Sequence, residues 1–218
     1  TLMNPLSGLQ FRPLTIPATV DAADAGDFIA MMDVRNRIYR QISGHDDHAM
    51  TAEALLPHYK PDEDETRLMW IIVDSDEVIG RVGVDIPHEE GSQLSFALIE
   101  ILREHWGRGI GTRAHELVEL TAREHGRSVI QSWAESPEGE GERLVPPTGF
   151  GSIPLDHIAR FYLAQGYALE QIERNSACDL QGSLTEIERL FAEAQRASTG
   201  YRIVQWSPPT PPEFVDGY

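Results

Sequence analysis

Apolar positions along this chain alternate between two periods, one close to two residues and one close to three and a half, and the changes mark out its elements. Residues 11–16 read as a first strand. Residues 21–41 place Phe28, Met31 and Ile38, with Ile42 just beyond, on one face at helical spacing. A shorter helix fits residues 51–59, closed by Lys60-Pro61 and an acidic turn. Residues 67–73 and 78–86 predict two strands joined by a hairpin at Asp74-Ser75-Asp76-Glu77. The apolar run 94–102 predicts a buried strand, and 110–125 an amphipathic helix with Gly126 as its closing residue. Residues 128–134 predict the next strand.

The segment 135–154 is a long insertion rich in Gly, Pro and Glu, and loops of this length in compact domains are functional or disordered. A helix carrying Tyr162 follows, then a sixth strand over 167–180. Ser183 and Glu186 have the spacing of a capping box that opens a helix running to Arg196. A last strand fits 201–206, and residues 207–218 read as an extended, proline-rich linker or tail. Residues 1–206 are thus expected to form one domain, with an inserted helix before its last strand.

The most informative stretch lies between the 94–102 strand and the 110–125 helix. A strand, a turn containing Gly107, Gly109 and Gly111, and a helix start together suit a phosphate-bearing ligand, because backbone N–H groups converge there and glycine admits close approach. The dinucleotide fingerprint is excluded, since Thr112 stands where its third glycine belongs, and a P-loop is excluded by the lack of lysine. Gly107-Arg108-Gly109-Ile110-Gly111 resembles the acyl-CoA pyrophosphate loop of the GCN5-related N-acetyltransferase (GNAT) superfamily, Gln/Arg-x-x-Gly-x-Gly/Ala. Gly109 and Gly111 match its glycines and Arg108 its basic residue; Trp106 departs from the leading Gln/Arg. Residues 159–167, with Phe161-Tyr162 and Gly166-Tyr167, resemble the family's second signature. The two motifs stand in the family's order, and the resemblance covers about residues 11–180.

The resemblance implies an α/β fold: a mixed, mostly antiparallel sheet of about seven strands flanked by helices, splayed between its fourth and fifth strands. It implies acetyl-CoA as cosubstrate, held by main-chain groups of Ile101, Leu102 and Arg103 and by the turn Trp106, Gly107, Arg108, Gly109, Ile110, Gly111 and Thr112. It makes Tyr162 the general acid. A phenol with an ordinary pKa near 10 stays protonated at neutral pH and can give its proton to a departing thiolate. For the general base the candidates are Glu100, on the fourth strand, and Glu135, just past the fifth. The implied reaction is acetyl transfer to a small-molecule amine by direct attack; a CoA-binding domain without catalysis is the alternative. The sequence also resembles the N-terminal half of actinobacterial tandem-GNAT proteins, so a second such half or a homodimer is an expected partner, and the tail reads as a cut linker.

Composition narrows this little further. A net charge of −17 argues against nucleic-acid binding and is compatible with a cationic amine. The single cysteine, Cys178, excludes an internal disulfide and points to a reducing, cytoplasmic setting, and no apolar run is long enough for a membrane span. His45-Asp46-Asp47-His48 holds metal-ligand residue types, but four neighbours on one loop seldom reach one ion. No metal site is expected, and substrate contact from this loop is the better functional reading. His105 and Trp106 are placed either to cover the cofactor or to pack.

Overall fold

The computed structural model describes residues 8–176, 181 and 184–217. The chain divides into two units, residues 1–172 and 173–218.

The first unit is built on a five-stranded sheet in the order β1 (Leu9–Pro13), β2 (Glu65–Asp74), β3 (Glu77–Pro87), β4 (Leu94–Ile101) and β5 (Val129–Ser132). All pairs are antiparallel except β4 with β5, which are parallel. That parallel pair requires a crossover, supplied by α3 (Ile110–Glu124). The β2–β3 hairpin turns on Ser75 and Asp76, both with positive φ, as a two-residue loop matched to strand twist demands. Gly126 ends α3 in the left-handed region. Its N–H donates to the Arg123 carbonyl while the Arg127 N–H donates to Ala122, which closes the helix in a Schellman motif.

Period-two alternation assigns the two faces of the sheet. Met69, Ile71 and Val73 pack under α1 (Gly26–Ser43), against its Phe28 and Met31, together with Leu55 of α2 (Ala52–Leu55). Ile72, Val82 and Val84 point the other way, against Ile110, Ala114 and Val118 of α3. Burying side chains of this size contributes about 1.5–3 kcal/mol each, so two such layers hold the sheet rigid beneath whatever its free edge carries. On the α1 face the remaining alternate residues of three adjacent strands line up across the register. Arg67 stands opposite Asp85, which stands opposite Phe96; Met69, Gly83 and Leu98 form a second row, and Arg81 faces Glu100.

The insertion after β5 folds back on itself, with β6 (Arg143–Leu144) pairing antiparallel with β7 (Ile153–Pro154). Arg143 ties this small hairpin to Ser152. α4 (His157–Ala164) follows, capped by the Asp156 carboxylate, which accepts from the Ala159 N–H at 2.9 Å.

Two expected strands do not form among the described residues. Residues 167–176 and 201–206 carry no strand, and 177–180 lie outside the described residues, as does Cys178. A strand needs a hydrogen-bonded neighbour before its apolar alternation has value. Neither segment has such a neighbour among the described residues, and 201–206 belongs to a different unit from the sheet. The main sheet therefore has five strands, and the other two strands are the short pair in the insertion.

The second unit contains α5 (Thr185–Ala197), where Arg189 pairs with Glu186 and Glu193 on the solvent face. Ser183, the expected cap, lies outside the described residues. The expected extended tail instead turns into a short 3-10 helix, Pro212–Gly217, with Phe214 stacked on Trp206. Among the described residues no helix is long and apolar enough to cross a membrane.

Candidate functional site

β4 and β5 stay paired only from Leu94↔Val129 to Ala97↔Ser132, whereas β4 continues to Ile101. Among the described residues the β5-facing edge of β4 has no strand partner beyond Ala97, so the sheet opens into a wedge at this pair. Tyr162, from α4, reaches the apex. Its Oη lies 2.9 Å from Ser132 Oγ, which is itself 2.9 Å from the carbonyl oxygen of Ala97. Ser132 has one proton and a carbonyl can only accept, so the Ser132 hydroxyl donates to Ala97 and the Tyr162 hydroxyl donates to Ser132. The last two residues of the β4–β5 ladder thereby hold the phenol at the opening. Burial pushes the Tyr162 phenol above its ordinary value; the Ser132 hydroxyl opposes this and the Glu100 carboxylate adds to it. Tyr162 is therefore a neutral proton donor at neutral pH.

Past the end of β4 the chain makes one 3-10 turn, Arg103–His105, and then the glycine turn. Gly107 and Gly109 both adopt positive φ, and a Cβ on either would meet nothing within 4 Å, so the space in front of the turn is open. No side chain caps α3 at Gly109. The first N–H groups of Ile110, Gly111 and Thr112 thus present the positive end of the helix toward that space. Gly111 serves a different purpose: a Cβ there would lie 3.0 Å from Cε2 of Phe161, which sets the approach of α3 to α4. Ile110 is buried in the core, and Thr112 is exposed.

The other residues around the turn already have partners. Arg108 donates to the Asp74 carboxylate at 2.8 Å and lies 2.9 Å from His105 Nδ1. The Arg108 hydrogen bond holds the Asp74 carboxyl below the usual carboxylate range. Trp106 stacks flat on His157 at 4.7 Å and donates its indole N–H to the Ile101 carbonyl at 2.8 Å. The Leu102 N–H donates to Ile79 at 3.0 Å, and the Arg103 N–H to the Gln41 side chain at 2.9 Å. Of the main-chain groups expected to meet a cofactor arm, these three are engaged within the protein. The open stretch of edge therefore lies earlier, between Leu98 and Glu100.

On the α1 face of the sheet, beside this opening, lies a cavity of about 570 Å³. Met69, Gly83 and Leu98 form its floor, Trp133 stands beside Phe96 at 5.5 Å, and Tyr39 and Tyr59 descend from the helical side. Glu100 does not stand free next to it. Its Oε2 accepts from Arg81 Nε at 2.6 Å, and the two side chains are only 13% and 4% exposed. Arg81 also donates to the Tyr59 hydroxyl. Burial is the largest influence and works against the Arg81 charge, but the Glu100 carboxylate together with Tyr59 and Tyr39 outweighs it, so the guanidinium is held above its ordinary pKa. Removing one member of such a pair strands the other charge in a low-dielectric site, which ties Glu100 to its partner. Tyr39 is pushed up to about 12, by burial first and then by the Glu100 carboxylate, with Glu135 adding to the effect. Glu135 itself is exposed.

Glu100 thus acts on both Tyr162 and Tyr39, Glu135 acts on Tyr39, and the glycine turn meets α4 at Phe161, one residue before Tyr162. Arg81, Tyr39 and Ser132 were not anticipated. Arg81 had a signal, a basic residue inside the otherwise apolar stretch 78–84. Tyr39 and Ser132 had none, because only the tertiary register brings them to the site. In the 45–48 loop, Asp46 pairs with Arg40, and His45 lies 3.3 Å from Asp47. Among the described residues no three potential metal ligands gather in one place.

The sequence profile of the acetyltransferase (GNAT) domain matches residues 11–136, more than half of the chain. The chain belongs to the GNAT acetyltransferase family. No curated protein sequence matches it. Among solved structures, the GNAT chain is similar to an aminoglycoside acetyltransferase from an uncultured soil metagenomic sample, in complex with sisomicin. That match has 12% identity and a TM-score of 0.52, over 78% of this chain and 96% of that one. It is also similar to a tandem GNAT protein from the clavulanic acid biosynthesis pathway, at 15% identity and a TM-score of 0.51, over 72% of this chain. The match spans 43% of that tandem protein. An integron cassette protein from the V. cholerae mobile metagenome aligns with 14% identity and a TM-score of 0.50, over 84% and 98% of the two chains. At these identities the similarity speaks for the fold.

Proposed function

We propose that this GNAT chain is an acetyl-CoA-dependent N-acetyltransferase that acts on a small-molecule amine by direct attack within a ternary complex. The observation that carries the reading is the Tyr162 hydroxyl, fixed by Ser132 at the apex where β4 and β5 part. The fit to acetyl-CoA rests on the open, uncapped start of α3 behind Gly107 and Gly109, which suits a pyrophosphate, and on the unpaired edge of β4 from Leu98 to Glu100, which suits an amide-bearing arm. Acetyl-CoA supplies the activated thioester.

The chain's own groups then have distinct tasks. The cavity beside β4 orients the amine, whose lone pair forms the new C–N bond as the C–S bond breaks. The proton lost by the amine goes to Glu135 or to ordered water, since Glu100 is committed to Arg81. Tyr162 gives its proton to the departing sulfur, and the Ser132 hydroxyl can turn to donate to the phenolate left behind. Localisation follows the same reading: a cytoplasmic enzyme with access to acetyl-CoA.

The alternative, a CoA-binding domain without catalysis, draws on one observation. Arg108 and Glu100, two of the charged groups the chemistry would use, are both engaged in ion pairs. Calorimetric titration with acetyl-CoA followed by an amine panel read by thiol release separates the two. Saturable binding with turnover supports the enzyme, and binding without turnover on any amine supports the alternative. In the enzyme, Tyr162→Phe lowers turnover by about 10²-fold while leaving acetyl-CoA affinity unchanged. Undiminished turnover in that variant removes Tyr162 from the mechanism.

A further inference from the structure

The charges lining the cavity run opposite to those of the chain. The whole sequence carries 18 basic and 35 acidic residues, yet the cavity wall holds three arginines, Arg35, Arg67 and Arg81, and one carboxylate, Asp85. An acidic protein that concentrates guanidinium groups in one pocket is using them for something other than solubility.

Two of the three arginines are accounted for within the fold. Arg81 is paired with Glu100 and Tyr59. Arg67 spends all three nitrogens, on Asp85 at 2.9 Å, on Glu65 and on the His58 carbonyl. Arg35 differs. Its Nη1 donates to the His48 carbonyl at 2.7 Å and to the Asn36 side-chain oxygen at 2.9 Å, both neutral acceptors. Its guanidinium lies 4.3 Å from the centre of the Tyr39 ring, a contact that orients the planar group without neutralising it. No carboxylate among the described residues pairs with Arg35, and its Nε and Nη2 make no hydrogen bond there. Glu135 acts on the same Tyr39 ring but forms no ion pair with Arg35. A partly buried guanidinium that lines a cavity, is held by one nitrogen and keeps its adjacent Nε and Nη2 donors unbonded among the described residues suits a carboxylate in bidentate fashion.

We propose that the acceptor is an amine carrying a carboxylate, an amino acid or a close analogue, with its carboxylate on Arg35 and its side chain against Phe96 and Trp133. The proposal rests on the N-acetyltransferase reading and names the substrate class of that same cavity. Arg35 is then a specificity-determining residue and takes no part in the proton transfers.

The test pairs each acceptor with its decarboxylated twin: L-phenylalanine with 2-phenylethylamine, L-methionine with 3-(methylthio)propylamine, and L-leucine with isopentylamine, with spermidine as a polycation. Thiol release is measured at saturating acetyl-CoA for the full chain and for Arg35→Gln and Arg35→Lys. Calorimetry with N-acetyl-L-phenylalanine and N-acetyl-2-phenylethylamine gives a binding readout that needs no turnover. The expected result is a preference of at least about tenfold in kcat/KM, or in affinity, for the carboxylate member. That preference collapses in Arg35→Gln and is partly kept in Arg35→Lys, while KM for acetyl-CoA stays unchanged. Preference for the decarboxylated amines or spermidine overturns the proposal, as does a preference that survives Arg35→Gln. Failure of every carboxylate to bind or react also overturns it. If carboxylates bind through Arg35 but acetyl-CoA does not bind at all, the substrate class stands as a ligand class and it is the acetyltransferase reading that fails.

Discussion

Ser132 stands between two oxygens with one proton to give, and that count decides what the side chain does. With the phenol neutral, the proton goes to Ala97; with the phenol ionised, it can turn to Tyr162. The hydrogen bond to the phenolate lowers the Tyr162 pKa against the rise caused by burial. Ser132→Ala removes the lowering, so the alkaline limb of the turnover profile, where Tyr162 loses its proton, moves to higher pH. Turnover at neutral pH falls, and Ser132→Thr restores both. A pH profile measured from neutral to strongly alkaline buffer checks this; an unmoved limb means another group sets it. Asp74 offers a second residue-scale prediction. It pairs with Arg108 beside the glycine turn, so Asp74→Asn removes a negative charge from the neighbourhood the phosphates of acetyl-CoA would enter. Because this partly exposed pair is weakened by solvent screening, affinity should tighten by only about two- to fivefold in calorimetry. Unchanged affinity would show that Arg108 does not face the phosphates.

Between elements, the contact that matters most is where the start of α3 meets α4. Gly111 lets Phe161 approach so closely that a Cβ would lie 3.0 Å from its ring, tighter than most such contacts, and Tyr162 is the next residue along α4. Gly111→Ala forces either the ring or the helix to move, which costs about 1–3 kcal/mol in a packed interior. Alanine's better helix propensity returns at most about 1 kcal/mol, and less in a first turn. The net effect is a lower thermal midpoint, by about 2–4 °C per kcal/mol for a protein of this size, with turnover reduced more than acetyl-CoA binding because Tyr162 shifts with its neighbour. Differential scanning calorimetry and steady-state rates on the same preparation test it. A more stable variant with full activity would show that the helices are not in register with the site.

At the scale of the molecule, charge would set the approach of the proposed cosubstrate, acetyl-CoA. A protein with a net charge of −17 repels a polyanionic ligand at long range, while the open end of α3 attracts it at contact. Raising ionic strength from about 10 mM to 150 mM shortens the screening length from about 30 Å to about 8 Å, which removes the repulsion first. The association rate for acetyl-CoA is therefore expected to rise with salt across that range in stopped-flow measurements. A rate that falls with salt would mean that local positive charge dominates even at a distance.

The local pattern was enough to place most elements and the glycine turn. Strands at 94–102 and 128–134, the helix from 110 and the hairpin at Ser75-Asp76 were legible because periodicity and turn chemistry are properties of neighbouring residues. The turn itself was legible for the same reason: the positive φ of Gly107 and Gly109 is written in their identity. Residues 167–176 and 201–206 carry no strand, against expectation, because a strand is completed by a distant partner, which no local alternation guarantees. The pairing of Arg81 with Glu100, which takes a candidate base out of free solution, follows from β3–β4 register across 19 residues of sequence. The placement of Ser132 beneath Tyr162 depends on where β4 and β5 part, and the isolation of Arg35 on which carboxylates the fold brings near the other two arginines. Sequence alone determined which residues could form elements and the open glycine turn, because those are short-range matters of sterics and hydrogen bonding. Which charges stand paired and which proton lies at the opening was decided only when tertiary packing brought distant groups within a few ångströms.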